Sequence, residues 1–201
     1  MEGKGRITGH TGLLALIGSP VGHSGSPAMY NYSFEKLGLD YAYVAFDIKV
    51  EEVKAALDAM RLFHMRGCNV TMPCKTEAAK YMDELSPAAR IIGAVNTIVN
   101  EDGKLIGHMT DGEGFVGNLR DHGIEIKGKK ITVAGGGGAA TAIQVQCALD
   151  GAREISIFNI KDDFFERTLE TAEKIRKEVP GIVVNAVSYT HLRAHETLRH
   201  L

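Results

Sequence analysis

Hydrophobic positions in the first part of the chain alternate between short apolar runs and runs with helical spacing. The apolar segment LLALIG (13–18) stops at a Gly-Ser-Pro sequence, which predicts a buried strand. Ser26 and Pro27 then supply an N-cap and a proline for the first helical position, and the predicted helix runs to about Leu37. The aromatic and β-branched segment YAYVAFDI (41–48) predicts a second strand.

The same alternation continues into a third strand and then changes to a hairpin. Apolar spacing over 53–60 predicts a second helix, GCNVT (67–71) predicts a third strand, and KTEAAKYMDEL (75–85) predicts a third helix. Strand–helix–strand order implies parallel pairing through right-handed crossovers. Asp102-Gly103 lies between two β-rich runs and predicts a hairpin turn.

The second part of the chain predicts a strand–turn–helix unit around a glycine-rich segment. A helix from Asp111 to about His122 precedes it and is expected to link two domains. The segment 129–159 then gives a strand, a glycine turn, a helix and a strand. A helix over 163–178 and a strand over 181–187 complete the predicted elements.

The predicted architecture is therefore α/β, with two domains and a tail. An N-terminal open α/β domain occupies 1–110, and an incomplete Rossmann-like dinucleotide-binding domain occupies 111–187. Residues 188–201 (SYTHLRAHETLRHL) show no strand pattern and no glycine turn, so we interpret them as a non-native-looking tail outside the fold. Metal binding by the histidines of this tail is an alternative, but their loose spacing leads us to predict no metal site.

Composition excludes several classes of partner. The 201 residues are 44% hydrophobic and 24% charged, as in ordinary globular proteins. A formal net charge of -2 shows no excess of basic residues for binding nucleic acid or an anionic membrane. No apolar run has the length of a membrane span. We therefore predict a cytoplasmic protein without nucleic-acid or membrane partners. Three cysteines without CxxC spacing suggest neither a disulfide framework nor a zinc site.

The glycine turn has the sequence context of a dinucleotide fingerprint. Gly135, Gly137 and Ala140 fill the pattern G-x-G-x-x-A, after a predicted strand and before a predicted helix. Glycines let the backbone approach a pyrophosphate closely, and the helix N-terminus offers free N–H groups. A glycine-rich turn without a ligand is the alternative.

Residues after the next strand suggest which nucleotide is bound. Asp162 can accept a hydrogen bond from a free ribose 2′-OH and would repel a 2′-phosphate, whereas Lys161 could pair with that phosphate. Asp162 could equally be the N-cap of the following helix. We predict NAD as the favoured cofactor, with NADP as the alternative.

Polar residues also gather at predicted strand ends in the first domain, where open α/β sheets bind ligands. They lie in three segments: GSPVGHSGSP, GCNVTMPCK and GAVNT…GHMTDGEGF. Lys75 is notable because cations are disfavoured where a helix begins, and a nearby carboxylate and an anionic substrate would offset that placement. Taken singly, Ser24 and Ser26 can be turn and cap residues, Lys75 a surface lysine, and Asp111 an N-cap.

With these motifs the chain resembles the shikimate dehydrogenase family. The resemblance rests on five ordered motifs and covers about residues 10 to 187: GSPVGHSGSPAMYN, GCNVTMPCK, GAVNT, TDGEGF and GGGGAATA. The run FNIKDDFF resembles the quinate/shikimate dehydrogenase branch, whose members use NAD as well as NADP. The resemblance implies an oxidoreductase of aromatic amino-acid biosynthesis that moves hydride between NAD(P) and the ring alcohol or ketone of shikimate or quinate.

The resemblance also implies a role for particular residues. Lys75 and Asp111 would form the catalytic pair, with Lys75 as general acid/base. Residues implied to bind the substrate carboxylate or ring hydroxyls are Ser24, Ser26, Tyr43, Thr71 and Asn96. Residues implied to hold the cofactor are Gly135, Gly136, Gly137, Gly138, Ala139 and Ala140 at the pyrophosphate and Asn159, Ile160, Lys161 and Asp162 at the ribose.

Three departures from the family pattern modify these expectations. Met109 stands where many members have asparagine, and Ile160 replaces an arginine that stacks on adenine and meets a 2′-phosphate. The family's final third is absent, so we expect the chain as written to be unstable or inactive alone. The alternatives are another two-domain NAD(P) dehydrogenase with a catalytic lysine, or a non-catalytic truncated substrate-binding module. An exposed strand edge would make a homodimer plausible.

Overall fold

Two compact units make up the computed structural model, which describes residues 7–161 and 163–188. The first unit contains the chain up to Ala89 together with Gly93–His108. The second contains Arg90–Ile92 and the chain from Met109 onward. Each unit has a sheet of its own, and the predicted α/β class is confirmed.

The first unit is built on a mixed six-stranded sheet in the order β2-β1-β3-β5-β6-β4. Its strands are β1 (Gly12–Gly18), β2 (Tyr41–Asp47), β3 (Gly67–Val70), β4 (Glu84–Leu85), β5 (Thr97–Glu101) and β6 (Lys104–His108). Its helical segments are α1 (Ser26–Leu37), a 3₁₀ turn (Val50–Glu52), α2 (Val53–Leu62), α3 (Lys75–Ala79) and α4 (Pro87–Ile92), whose last three residues fall in the second unit. As predicted, β1 is parallel to β2 and β3, and β5 and β6 form an antiparallel hairpin.

Apolar side chains on the sheet and helices form the core of this unit. Phe34 of α1 packs with Leu16 and Tyr43 of the sheet. The buried residues of α2 follow the predicted helical spacing and are Val53, Leu57 and Met60. Strand β1 lies in the middle of this packing, because Ala15 is fully buried and the two residues after it, Leu16 and Ile17, are nearly so.

The predicted third helix over 75–85 is wrong in its second half. Helix α3 ends at Ala79, and the chain then pairs with β6 as the short strand β4 before α4 begins. The Asp83 carboxylate accepts hydrogen bonds from the Leu105 N–H (2.7 Å) and from Arg61 (2.9 Å), which ties this segment to the sheet. Ser86 caps α4 by accepting the Ala89 N–H. These tertiary bonds replace the helical continuation that apolar spacing suggested.

The second unit contains a parallel three-stranded sheet in the order β7-β8-β9. Its elements are α5 (Asp111–Asp121), β7 (Lys130–Ala134), α6 (Gly138–Leu149), β8 (Glu154–Asn159), α7 (Asp163–Glu178) and β9 (Val183–Ser188). The predicted order of strand, glycine turn, helix and strand is confirmed. The predicted tail begins at Ser188, which ends β9, and its remaining residues lie outside the described part of the chain.

Helices α5 and α6 make backbone contact at Gly112. A Cβ atom at this position would overlap the carbonyl oxygen of Ala142 and the Cβ of Gln146. Gly112 is buried in this contact, which only a residue without a side chain permits. The start of α5, and with it Asp111, is thereby held against α6.

Cys68, Cys74 and Cys147 are buried, free thiols. Burial raises the pKa of Cys68 to about 12, and burial with the nearby Asp150 carboxylate raises that of Cys147 to about 11. Both thiols are therefore protonated near neutral pH and poor nucleophiles. Across 7–161 and 163–188 no three His, Cys, Asp or Glu side chains are grouped to hold a metal ion, and no helix there could span a membrane.

Candidate functional site

The turns that follow β1 and β3 are bound to each other. The Thr71 N–H donates to the Ile17 carbonyl (2.9 Å), and the Ser19 N–H donates to the Met72 carbonyl (3.1 Å). Gly18 has φ 150°, and a Cβ there would overlap the Thr71 side chain and come within 2.9 Å of the Met72 oxygen. Glycine is required at this approach. The polar turns of the first unit therefore lie side by side at one end of the sheet.

Ser24 and Ser26 lie in the turn after β1 and at the start of α1. The Ser24 Oγ accepts the Ser26 N–H at 3.2 Å, and both residues are half-buried. The helix begins one residue earlier than predicted, because Gly25 is the N-cap and Ser26 is the first helical residue. Capping is therefore not the role of the Ser26 hydroxyl.

Thr71 and Asn96 are placed together by backbone hydrogen bonds between neighbouring segments. The Val70 N–H donates to the Asn96 carbonyl (2.8 Å), and the Asn96 N–H donates to the His108 carbonyl (2.9 Å). Asn96 is 9% exposed, whereas Thr71 is half-buried. Both predicted substrate residues thus adjoin the end of β3.

Lys75 is the first residue of α3 and is also tied to the segment that contains Asn96. Its carbonyl accepts the Val95 N–H at 3.0 Å, and its side chain is half-buried. Asp111 is the exposed first residue of α5 and belongs to the second unit. Pairing of Lys75 with Asp111 remains a prediction.

Tyr43 is buried, and its hydroxyl group contacts a residue that the sequence analysis did not single out for the site. The Tyr43 hydroxyl donates to the Asn69 Oδ1 at 2.8 Å, and its ring stacks on Tyr30 with 4.5 Å between centroids. The Asn69 amide donates in turn to the Thr97 hydroxyl at 3.2 Å. Burial, with smaller contributions from Tyr30 and Cys68, raises the pKa of Tyr43 well above its ordinary value. The network fixes the side chain of Asn69 beside the predicted substrate residues. The sequence feature that could have identified Asn69 is a polar residue within a buried strand.

The glycine turn joins β7 to α6 and is fixed at its first residue. Gly135 has φ 112°, and its N–H donates to the Phe158 carbonyl of β8 at 2.7 Å. Gly137 is the N-cap of α6. The first turn of a 12-residue helix leaves backbone N–H groups without intrahelical partners at its positive end. This arrangement suits a phosphate group.

The predicted ribose-binding residues lie at the end of β8. Asn159 is the last residue of that strand and is 6% exposed, while Ile160 is 38% exposed and Lys161 is exposed. Asp162 lies outside the described residues. The turn after β8 therefore presents an aliphatic side chain and an ammonium group in the place that the sequence analysis assigned to the adenosine.

Comparisons with known proteins find similar sequences and structures over most of this chain. Residues 16–98 match the shikimate dehydrogenase substrate binding domain. Over 173 residues the chain is 55% identical to shikimate dehydrogenase (NADP(+)) of Listeria monocytogenes serotype 4b, covering 86% of this chain and 60% of that protein. Shikimate 5-dehydrogenase from Listeria monocytogenes, in complex with shikimate and NAD, superposes with a TM-score of 0.87 and 52% identity, covering 91% of this chain and 63% of the other.

A more distant structure extends the similarity. Quinate dehydrogenase from Corynebacterium glutamicum, in complex with NAD, is 27% identical, has a TM-score of 0.77 and is aligned over 89% of this chain and 64% of its own. The chain spans about 60% of the length of the curated relative above. The matched domain, the relatives and the ordered motifs all relate this chain to the shikimate dehydrogenase family.

Proposed function

We propose that the protein transfers hydride between NAD(P) and the ring alcohol or ketone of shikimate, with quinate as a second substrate. The observation that carries the proposal is the grouping of Thr71, Lys75 and Asn96 by backbone hydrogen bonds at one end of the first sheet. Both of the Listeria proteins are named as dehydrogenases of shikimate, and the solved one contains shikimate and NAD.

In the proposed mechanism Lys75 moves the proton of the reacting hydroxyl. Oxidation of a ring alcohol releases a proton from oxygen, and an amine within hydrogen-bond reach accepts it as general base. In the reverse direction the ammonium donates a proton to the developing alkoxide. Asp111 orients the amine and shares hydrogen bonds to the same oxygen. The nicotinamide, when bound, supplies the hydride acceptor or donor.

Hydroxyl and amide groups of the first unit would bind the rest of the substrate. Ser24 and Ser26 offer hydroxyl donors for a carboxylate in the turn after β1. Thr71 and Asn96 supply a hydroxyl and an amide for ring hydroxyls beside Lys75. A substrate with one carboxylate and several hydroxyls matches this set of donors and acceptors.

The glycine turn and the end of β8 would hold the nucleotide. The N–H groups at the start of α6 suit a pyrophosphate, and Asn159, Ile160 and Lys161 would face the adenosine. We propose NAD as the preferred cofactor, because Ile160 stands where an arginine would bind a 2′-phosphate. The NAD complex of the Listeria structure supports this preference, and the NADP(+) name of the curated relative opposes it.

Steady-state kinetics with both cofactors tests the function and the preference together. In the intact protein, we expect shikimate-dependent reduction of NAD with kcat/KM about tenfold above that for NADP, because a charge-assisted hydrogen bond to the 2′-phosphate is missing. Absorbance of the reduced nicotinamide is the measurement. A strong preference for NADP would reject the cofactor assignment, with Lys161 then the residue that pairs with the phosphate.

Two other outcomes would replace the proposed function. Calorimetric binding of shikimate without turnover, in protein that also binds nucleotide, would indicate a non-catalytic binding module. Turnover of another substrate from a panel of amino acids and methylene-tetrahydrofolate, without turnover of shikimate or quinate, would indicate a different lysine-dependent dehydrogenase.

A further inference from the structure

Gln144 is a fully buried polar residue of α6, and its side chain contacts the glycine turn that precedes this helix. It is 0% exposed, and its Nε2 donates to the Gly135 carbonyl at 3.0 Å. Its Oε1 is buried and has no hydrogen-bond partner among the described residues. The hydrogen bond fixes the orientation of the amide, since a flipped amide would set its oxygen against the Gly135 oxygen.

An apolar side chain at position 144 would contribute more to folding stability than glutamine does. The other buried residues of α6 are Ala142, Val145, Cys147 and Ala148. A buried acceptor without a partner costs about 1–3 kcal/mol. Glutamine at this position therefore has an unfavourable contribution to folding, which its single hydrogen bond only partly offsets.

The hydrogen bond of Gln144 controls where the next backbone donor points. The described cis peptide bonds are Ser19-Pro20 and Met72-Pro73, so the bond between Gly135 and Gly136 is trans. In a trans peptide the C=O and the following N–H point in opposite directions. Because Gln144 holds the Gly135 carbonyl toward α6, the Gly136 N–H points away from that contact.

Thr141 orients the next peptide group in a similar way, through a longer hydrogen bond. Its hydroxyl donates to the Gly136 carbonyl at 3.4 Å, which directs the Gly137 N–H the opposite way. Gly135 is also held from the other side, because its own N–H donates to Phe158 of β8. Side chains of α6 therefore hold two successive carbonyl groups of the turn on one side.

We propose that Gln144 is a positioning residue for nucleotide binding, which acts by holding the Gly135 carbonyl so that the N–H groups of the glycine turn are oriented for a pyrophosphate. It lies outside the G-x-G-x-x-A pattern, four residues after Ala140. The inference rests on the proposed nucleotide site of the second unit. It goes beyond that site by assigning the geometry of the turn to a residue that does not touch the ligand.

The test is calorimetric titration of the intact protein with NAD, together with thermal unfolding without ligand. Gln144→Leu removes the hydrogen bond and the buried unpaired oxygen together. We expect the Kd for NAD to rise about tenfold, the effect of losing one correctly directed N–H contact to the pyrophosphate, while Tm stays unchanged or rises. Thr141→Val, which loses the longer bond, should raise the Kd about threefold.

Gln146→Leu is the matched control on the same helix. Its amide donates to Asp150 at 2.9 Å, away from the turn, and we expect no change in the Kd for NAD. If leucine prevents folding, Gln144→Met, which is unbranched and similar in length, replaces it under the same criteria.

Three outcomes would overturn the proposal. An unchanged Kd in Gln144→Leu would show that the turn keeps its geometry without the amide. A Tm lowered by several degrees would indicate that Gln144 serves folding. Wild-type protein that binds shikimate but not NAD would reject the nucleotide site itself, and the positioning role with it.

Discussion

Replacing Lys75 with alanine is expected to lower turnover of shikimate by at least about 10²-fold, the lower end for loss of a general acid–base group. The effect on substrate affinity should be smaller, because Ser24, Ser26, Thr71 and Asn96 would still bind the carboxylate and ring hydroxyls. The measurement is steady-state kcat and KM with saturating cofactor.

Lys80→Ala is the matched control for this experiment. Lys80 follows α3 and is exposed, and it pairs with Glu77 on the surface at 2.6 Å. An exposed ion pair contributes little, so we expect near-normal kcat. Near-normal kcat in Lys75→Ala as well would remove the catalytic assignment.

Replacing Gly112 with alanine is expected to destabilise the second unit by about 2 kcal/mol, the range for overpacking a close contact. The added Cβ would meet backbone and Cβ atoms of α6, which cannot move aside as the end of a long side chain can. The displacement of α5 would also shift Asp111, so kcat should fall. Urea unfolding followed by circular dichroism gives the free energy of unfolding.

Gly114→Ala on the same helix separates this contact from the general effect of glycine in a helix. A Cβ at Gly114 meets nothing within 4 Å, and the residue is exposed. Alanine there should stabilise α5 by up to about 1 kcal/mol. Equal changes in both variants would show that the contact between α5 and α6 does not determine the stability of this unit.

Much of the backbone structure around the candidate site could be predicted because it depends on local sequence signals. The stop of β1 at Gly18-Ser19-Pro20, the hairpin turn at Asp102 and the glycine turn before α6 each depend on residues close in sequence. The spacing of apolar residues and the residue types of turns are sufficient to predict an element where neighbouring residues decide its backbone conformation.

The parts that could not be predicted depend on contacts distant in sequence. The strand β4 forms because Asp83 and Ser86 make hydrogen bonds to β6, about 20 residues away. The spacing of apolar residues does not predict those hydrogen bonds. The Tyr43 hydroxyl meets Asn69, 26 residues away. Gln144 is only nine residues from Gly135 but lies outside the fingerprint pattern, so a motif search does not include it.

The central claim is that an amine and a carboxylate, at 75 and 111, act on one hydroxyl of the substrate. A crystal structure of the intact protein with shikimate and NAD measures this directly. We predict that the Lys75 Nζ and an Asp111 carboxylate oxygen each lie within about 3 Å of the oxygen of the same ring hydroxyl. The ring carbon that bears this hydroxyl should face the nicotinamide. Shikimate bound with either side chain turned away from its ring hydroxyls would contradict the claim.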